Sequence, residues 1–199
     1  MRELGTRVTT QLTIGPSASS LPCFSPDNQK IAFTNFGSGN GDIFIMKIKV
    51  GLLKTMVTMG SNAEVFCSWS PSGKIAYTNA PSDSKRWTSE IWIYDLNTSS
   101  YSHIIDGRDL EWSPDGTKLV FYRVQQIKAW GTYTENFCSL WIINADGTGL
   151  TQITTDLSWE GHLAFGPDGK IYFDSNRTGN RDIWSAELQL DISNQNEFK

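Results

Sequence analysis

Three residues have side chains that could exchange protons with a substrate: Glu64, Glu160 and His162. Glu64 and Glu160 each stand five residues before an aromatic residue that opens a small-residue–Pro turn, so they hold equivalent positions of a repeated segment. Two carboxyl groups that face one channel could act as acid and base, as in glycoside hydrolysis. Repeat symmetry alone also accounts for the pair, and both interpretations stay open.

Histidine is the other acid–base candidate, and the chain has two. His162 is expected just before the first strand of a repeat, near the mouth of a channel, where it either binds a ligand or orders a neighbouring loop. His103 falls in a predicted outer strand and is interpreted as a surface residue. The sequence has no Gly-x-Ser-x-Gly nucleophile elbow, so a peptidase of the serine hydrolase type is not expected.

Basic and aromatic residues cluster in two long segments between predicted strands, 79–90 and 123–138. Long loops in compact domains are often functional, and exposed Trp, Tyr and Arg side chains anchor interfaces. The alternative is that these aromatic side chains only cover strand edges. Together with two residues at the channel mouth, the predicted binding residues are Lys85, Arg86, Trp87, Lys128, Trp130, Tyr133, Trp159 and His162.

No group of residues in the sequence has the spacing of a metal site. The Asp-Gly pairs that begin at Asp115, Asp146 and Asp168 lack the series of carboxylates that calcium requires, and they are interpreted as turns. The three cysteines form no C-x-x-C pair and are expected to be buried free thiols, with a Cys23–Cys67 bridge as the alternative. We therefore predict no metal and no cofactor.

The composition argues against nucleic acid as the main partner, although it leaves room for a local basic patch, and against a membrane span. The formal net charge is −4, which provides no broad positive field for nucleic acid. No apolar run approaches the roughly 20 residues that span a bilayer, and residues 1–5 have no signal-peptide character. We expect neither nucleic acid binding nor a membrane span.

A repeat positions all of these candidates. An aromatic residue, a small residue, Pro and a polar turn recur four times, and the prolines lie 45, 43 and 53 residues apart. Pro presets the first corner of a tight turn, and the Gly that often follows accepts a positive φ. Each turn is therefore predicted to join two strands, and a period of 40 to 50 residues is typical of propeller blades. The four prolines are Pro26, Pro71, Pro114 and Pro167.

Runs rich in β-branched and aromatic residues predict the remaining strands. Second strands are expected at 31–34, 75–78, 119–122 and 171–174, third strands at 42–45, 90–93, 140–143 and 182–185, and fourth strands near 55–58, 103–105 and 151–154. The last blade lacks a fourth strand of its own. Thr10–Thr13 nearly repeats Thr151–Thr154, so the N-terminal segment is predicted to close that blade.

The predicted fold is therefore all-β, a single small β-propeller over residues 1–199 with four blades of four antiparallel strands. The blades span about 21–58, 64–105, 109–154, and 160–187 together with 7–13. Closure buries the blade faces and removes open strand edges. In the alternative, residues 189–193 complete the last blade, and the chain is part of a larger propeller or half of a dimeric ring.

The motif aromatic-Ser-Pro-Asp-Gly-x-Lys-Ile-Ala-Phe, with Asp-Ile-Trp and a Leu-Thr strand, resembles the TolB-type (WD40-like) β-propeller repeat. The resemblance covers about Thr6 to Leu188 and identifies the repeat rather than a particular protein. It implies a propeller whose ligand-binding loops lie on one face. It also allows a periplasmic or secreted location, whereas the free cysteines favour the cytoplasm, so the compartment stays open.

These observations favour a non-enzymatic binding module that presents loops and a channel mouth to a protein, peptide or carbohydrate partner. A second hypothesis is a small carbohydrate-active or ester hydrolase or lyase, with Glu64, Glu160 and His162 at the channel mouth. A third is a structural propeller unit that oligomerises. The chain is expected to be a monomer or a homodimer.

Overall fold

The computed structural model describes residues 9–49, 54–81, 88–129 and 133–188, and the side chains of 126–136 fall outside its description. Within these ranges the chain is all-β and forms four antiparallel sheets, the blades of a small propeller. The expected all-β propeller of four blades is thereby confirmed. No helix among the described residues is long and apolar enough to cross a bilayer.

Strands follow one another in the same order in every blade, and neighbours in the chain are neighbours in the sheet. Blade 1 contains β1 (Ser19–Phe24), β2 (Lys30–Asn35), β3 (Asp42–Lys47) and β4 (Lys54–Met56). Blade 2 contains β5 (Ala63–Trp69), β6 (Lys74–Ala80), β7 (Glu90–Asp95) and β8 (Ser100–Asp106). Blade 3 contains β9 (Arg108–Trp112), β10 (Lys118–Ala129), β11 (Tyr133–Asn144) and β12 (Thr151–Gln152), and blade 4 contains β13 (Glu160–Phe165), β14 (Ile171–Ser175) and β15 (Asp182–Ala186).

The repeated turn forms because its polar side chains satisfy the backbone locally. In blade 3, the Ser113 hydroxyl accepts a hydrogen bond from Lys118 N at 2.9 Å, and Asp115 Oδ1 accepts one from Thr117 N at 3.0 Å. Gly116 takes a φ of +69°, a conformation that glycine adopts without steric cost. Hydrogen bonds from Ser113 and Thr117 hold the pKa of Asp115 below its usual value. The Asp-Gly pair of this blade is thus a turn, as predicted.

The hydrophobic core lies in layers between consecutive blades. Ile43 and Ile75 are fully buried between blades 1 and 2, Ile91 and Phe121 between blades 2 and 3, and Ile171 packs with blade 3 from blade 4. Burial of each such side chain contributes roughly 1.5–3 kcal/mol relative to exposure. The first strands β1, β5, β9 and β13 contact one another in that order, so they form the inner wall of the propeller.

The N-terminal segment does not close the last blade in the described residues. Residues 9–18 contain no strand, and blade 4 has three strands, β13, β14 and β15. Leu12 instead packs against Phe33 and Met46 on the outer face of blade 1. Burial of apolar surface against that face stabilises this position of Leu12. The prediction that residues 8–13 pair with the strand of Trp184 is corrected accordingly.

The segment 123–138, interpreted from the sequence as a loop, is a β-hairpin. β10 and β11 pair without interruption from Arg123↔Ser139 to Ala129↔Tyr133. Each strand has 12 residues, about twice the length of the strands in the other blades. The hairpin therefore extends beyond the sheet of blade 3, and predicted binding residues Lys128 and Tyr133 stand near its tip.

Candidate functional site

Each inner strand is interrupted at the same position by a residue with left-handed backbone. This residue stands five positions before the turn proline, and the ladder with the second strand shifts register there. A non-glycine L-residue in this conformation costs roughly 1–3 kcal/mol, and such strain clusters at functional sites. The four residues and their φ angles are Leu21 (54°), Phe66 (54°), Asp109 (48°) and His162 (49°).

The four irregular positions line a single cavity on the axis of the propeller, which we call the axial cavity. Its volume is about 550 Å³, within the range of small-molecule sites. A β-bulge turns a side chain away from its regular direction in the sheet. Four bulges on four inner strands thus direct four side chains toward one space. The lining residues are Leu21, Pro22, Phe66, Cys67, Arg108, Asp109, Leu110, Trp159, Glu160, Gly161, His162, Leu163 and Arg181.

One wall of the axial cavity carries a histidine held by a carboxylate. His162 Nδ1 lies 2.8 Å from Asp174 Oδ1, and Arg181 Nε lies 2.6 Å from Asp174 Oδ2. The imidazole is 85% exposed, while the Asp174 side chain is 12% exposed. A carboxylate that accepts a hydrogen bond from Nδ1–H fixes the ring orientation and leaves Nε2 free to meet a ligand. His162 lies inside β13 rather than before the first strand, which corrects its predicted position.

The remaining walls combine one ion pair with an apolar surface. Arg108 Nε lies 3.3 Å from Asp109 Oδ2 in β9. The Phe66 side chain is 41% exposed and the Trp159 side chain 40%, a high value for aromatic residues next to a protein core. An exposed apolar surface beside guanidinium groups suits a ligand with both apolar and hydrogen-bond-accepting groups.

Hydrogen bonds between neighbouring blades hold the inner strands in place. Asp109 N donates to Thr78 Oγ1 at 3.2 Å, so the bulge of blade 3 is tied to the second strand of blade 2. Phe165 N donates to Glu111 Oε2 at 3.0 Å, which links blade 4 to blade 3. Burial raises the pKa of Glu111. The walls of the axial cavity are therefore fixed by contacts that do not depend on a ligand.

The two repeat-equivalent glutamates are not brought together. Glu160 is part of the axial cavity wall, but its side chain is 0% exposed and is ion-paired with Arg177. Glu64 lines a different cavity of about 310 Å³ between blades 1 and 2, with Met59, Tyr77 and Tyr101. Of the candidate acid–base residues, only His162 presents its functional group to the axial cavity.

Burial and a like charge raise the pKa of Glu64 to about 7. The Glu64 carboxyl is buried next to Asp42, which is also buried, and the two carboxyl groups share the site. Thr58 Oγ1 donates to Glu64 Oε2 at 3.4 Å, which opposes the shift. The same environment raises the pKa of Tyr77, mainly through burial and secondarily through Glu64. This second cavity therefore contains a carboxyl group whose pKa lies near neutral pH.

The structure places the other predicted binding residues as follows. Trp159 lies on the rim of the axial cavity, where its backbone N–H donates to Asn176 Oδ1 at 2.7 Å. Lys85, Arg86, Trp87 and Trp130 fall outside the described residues. Lys128 and Tyr133 stand near the hairpin tip, as described above, and their side chains are not described.

Four residues of the site were not predicted from the sequence: Phe66, Asp109, Asp174 and Arg181. A usable signal exists for Phe66 and Asp109, because both occupy the place of His162, five residues before the turn proline. No comparable signal marks Arg181, which reaches Asp174 from the loop before β15. The three cysteines are free, as expected, and Cys67 and Cys138 are buried.

Comparison with known proteins agrees with the fold. The family model described as the tricorn protease N-terminal β-propeller domain matches residues 2–197. No curated protein matches the sequence significantly.

Solved structures with the same fold are distant in sequence. TolB from Acinetobacter baumannii superposes with a TM-score of 0.67 at 19% identity, over 85% of this chain and 41% of that one. The acylaminoacyl peptidase of Pyrococcus horikoshii gives 0.60 at 15% identity, over 86% and 31%. A chain of a nidogen/laminin complex gives 0.59 at 12% identity, over 81% and 62%. The chain spans less than two thirds of each structure, and identities this low support the fold alone.

Proposed function

The chain belongs to the family of tricorn protease N-terminal β-propeller domains, and from that premise we propose that it is a non-enzymatic binding module whose axial cavity holds a peptide segment of a protein partner. The observation that carries the proposal is the set of four left-handed bulges that converge on one cavity of about 550 Å³. A rigid scaffold with strained residues around a preformed cavity is the arrangement expected of a binding site.

The chemistry of the walls favours a peptide over a carbohydrate. Leu21, Phe66 and Leu110 provide an apolar surface for a side chain. Arg181 can donate hydrogen bonds to peptide carbonyl or carboxylate groups, and the free Nε2 of His162 can accept one from a peptide N–H. The side chains of Leu21, Phe66 and Leu110 have no hydrogen-bonding groups for the hydroxyls of a sugar ring, so this wall suits an apolar peptide side chain better.

Selection from a random peptide library on the immobilised chain tests this proposal. We expect enriched peptides that bind the parent in calorimetry and bind Phe66→Ala and Arg181→Ala at least about tenfold more weakly, the loss expected of interface anchors. Met59→Ala is the matched control, because Met59 is an exposed apolar side chain of the second cavity. Peptides that bind all variants equally, or glycans that bind in their place and require Arg181, would overturn the proposal.

A second candidate function is acid–base chemistry at the axial cavity, which the His162–Asp174 pair favours. A histidine oriented by a carboxylate and exposed to a cavity can accept or donate a proton in a hydrolase or lyase reaction. A panel of esters and acidic oligosaccharides tests this function. Turnover that His162→Gln abolishes while the peptide affinity persists would favour it over binding alone.

A further inference from the structure

Three potential metal ligands meet on the outer side of blade 2, away from the axial cavity. Glu90 stands at the start of β7, and His103 and Asp106 stand on the fourth strand β8. One ligand atom from each residue lies within 4.8 Å of the other two. His103 and Asp106 are exposed and Glu90 is half-buried, so solvent ions reach the group.

A β-bulge creates this arrangement. Along β7 and β8, Glu90 pairs with Asp106, Ile91 with Ile105 and Trp92 with His103. Ile104 is the extra residue on β8, so His103 and Asp106, three positions apart in sequence, project from the same face of the sheet as Glu90. Without the bulge, the strict alternation of side chains would direct His103 and Asp106 to opposite faces.

Trp92 contacts two of the three residues and restricts the orientation of their side chains. Its Nε1–H donates to Glu90 Oε2 at 2.8 Å, which fixes the carboxylate and leaves the other oxygen available to a metal. The rings of Trp92 and His103 lie 5.4 Å apart in an edge-on contact, which restricts the imidazole. Partners of this kind orient metal ligands and increase affinity.

The length of β8 is particular to this blade. The other two fourth strands among the described residues, β4 and β12, have three and two residues, whereas β8 has seven. The repeat itself therefore does not require the extended strand or its histidine. Segment 100–106 thus carries two potential metal ligands, His103 and Asp106, that the propeller fold does not require.

We propose that Glu90, His103 and Asp106 form a binding site for a divalent transition-metal ion of the Zn²⁺ class. One imidazole and two carboxylates suit such an ion, and water completes its coordination in an exposed site. Metal–ligand distances of 2.0–2.2 Å place ligand atoms at most about 4.4 Å apart, so the group closes on the ion by small movements of exposed side chains.

Calorimetric titration of the EDTA-treated full chain with ZnCl₂ tests the site. We expect one strong site in the parent and an affinity at least about tenfold lower in His103→Ala and in Asp106→Asn. Asp182→Asn is the matched control, because Asp182 occupies the position of Glu90 in blade 4 and is exposed. Its Zn²⁺ affinity should equal that of the parent.

Histidine NMR provides a second readout that does not depend on the variants folding. The chain has two histidines, so Zn²⁺ should shift the ring signals of His103 and leave those of His162 in place as an internal reference. The absence of strong Zn²⁺ binding by the parent would overturn the proposal. Binding that persists in His103→Ala, that shifts His162 instead, or that is lost in Cys67→Ser would also overturn it.

Discussion

The two glutamates at the same repeat position, Glu64 and Glu160, have opposite electrostatic surroundings. Both are buried and both accept a hydrogen bond from the threonine six residues earlier. Glu160 is ion-paired with Arg177, which is itself paired with Asp156. Glu64 is next to Asp42, and the pKa of Glu64 is raised to about 7 by burial and by that second carboxyl.

This comparison shows that the repeat determines where a carboxyl group is buried but not which charged group lies next to it. In blade 3 the corresponding position is Gly107, where a Cβ atom would collide with the ring of Phe121. The same backbone position thus holds an ion pair, an acid pair or no side chain. The choice depends on single neighbours, because a buried carboxylate is stable only with a cation or with strong donors nearby.

The largest expected effect is loss of the cation beside Glu160. Arg177→Met keeps an apolar side chain against Phe173 and Trp184, over whose rings the guanidinium lies. It leaves Glu160 buried without its cation, so we expect urea denaturation to show a free energy of unfolding lower by about 3 kcal/mol. Lys170→Met, which breaks the exposed pair with Glu187, is the control and should cost far less stability than Arg177→Met. Equal losses would show that burial of the ion pair has no special cost.

A smaller effect is expected from pH at the Glu64 site. Because the folded-state pKa of Glu64, about 7, lies above its ordinary value of 4.5, the folded chain binds a proton that the unfolded chain releases in this window. The stabilisation of the folded state by this proton is fully present below pH 4.5 and is lost as the pH rises through 7. Over this window the free energy of unfolding falls by up to about 1 kcal/mol per pH unit. Denaturation curves at several pH values should therefore show a slope that Glu64→Gln removes. An identical slope in both proteins would assign the proton to another group.

The paired threonines sharpen the comparison further. Thr58 Oγ1 accepts from Ile43 N at 2.8 Å, whereas Leu140 N has both Thr154 Oγ1 and Glu160 Oε2 as acceptors. Thr58→Val should therefore lower the free energy of unfolding by about 1–3 kcal/mol, because it leaves a buried donor without its acceptor.

Thr154→Val is expected to cost less than Thr58→Val, because Glu160 still accepts from Leu140 N. Thermal melts of the two variants, recorded at one pH, provide the comparison. A larger loss of stability in Thr154→Val would mean that the hydrogen bond from Thr154 to Glu160 contributes more than the acceptor that Thr58 provides for Ile43 N.

The smallest effect on stability is expected at the axial bulges. Phe66 is partly exposed and has a φ of 54°, a conformation that glycine accepts without strain. In Phe66→Gly, relief of strain offsets the lost apolar contact, so we expect the free energy of unfolding to change by less than about 1 kcal/mol. Peptide binding should nevertheless be lost. A loss of several kcal/mol would assign Phe66 to the core rather than to a ligand site.

Several features of the fold were predictable from residue types. Prolines and polar residues at a fixed period define the turns, and β-branched and aromatic runs define β2, β6, β10 and β14. The hairpin extension of β10 and β11 was not predicted, because residues 123–138 show no regular alternation of apolar and polar residues in the sequence. Segment 10–13 resembles segment 151–154 in sequence. Such a resemblance indicates the propensity to form a strand but does not indicate which strand it pairs with, and Leu12 packs on blade 1 instead.

The candidate site was less predictable than the fold. Sequence reasoning selected His162 and Trp159, both of which line the axial cavity. The left-handed conformations of Phe66 and Asp109 were not anticipated, because Phe does not mark a positive φ and Asp marks one far less strongly than glycine does. The register shifts that bring these residues to the axis result from contacts between blades, which a single strand does not encode.

A crystal structure of the chain with a peptide selected from the library tests the central claim most directly. The account predicts peptide density in the axial cavity, with an apolar side chain against Phe66 and a carbonyl or carboxylate within hydrogen-bond distance of Arg181. Density only along the tip of the β10–β11 hairpin, with the axial cavity filled by solvent, would contradict it.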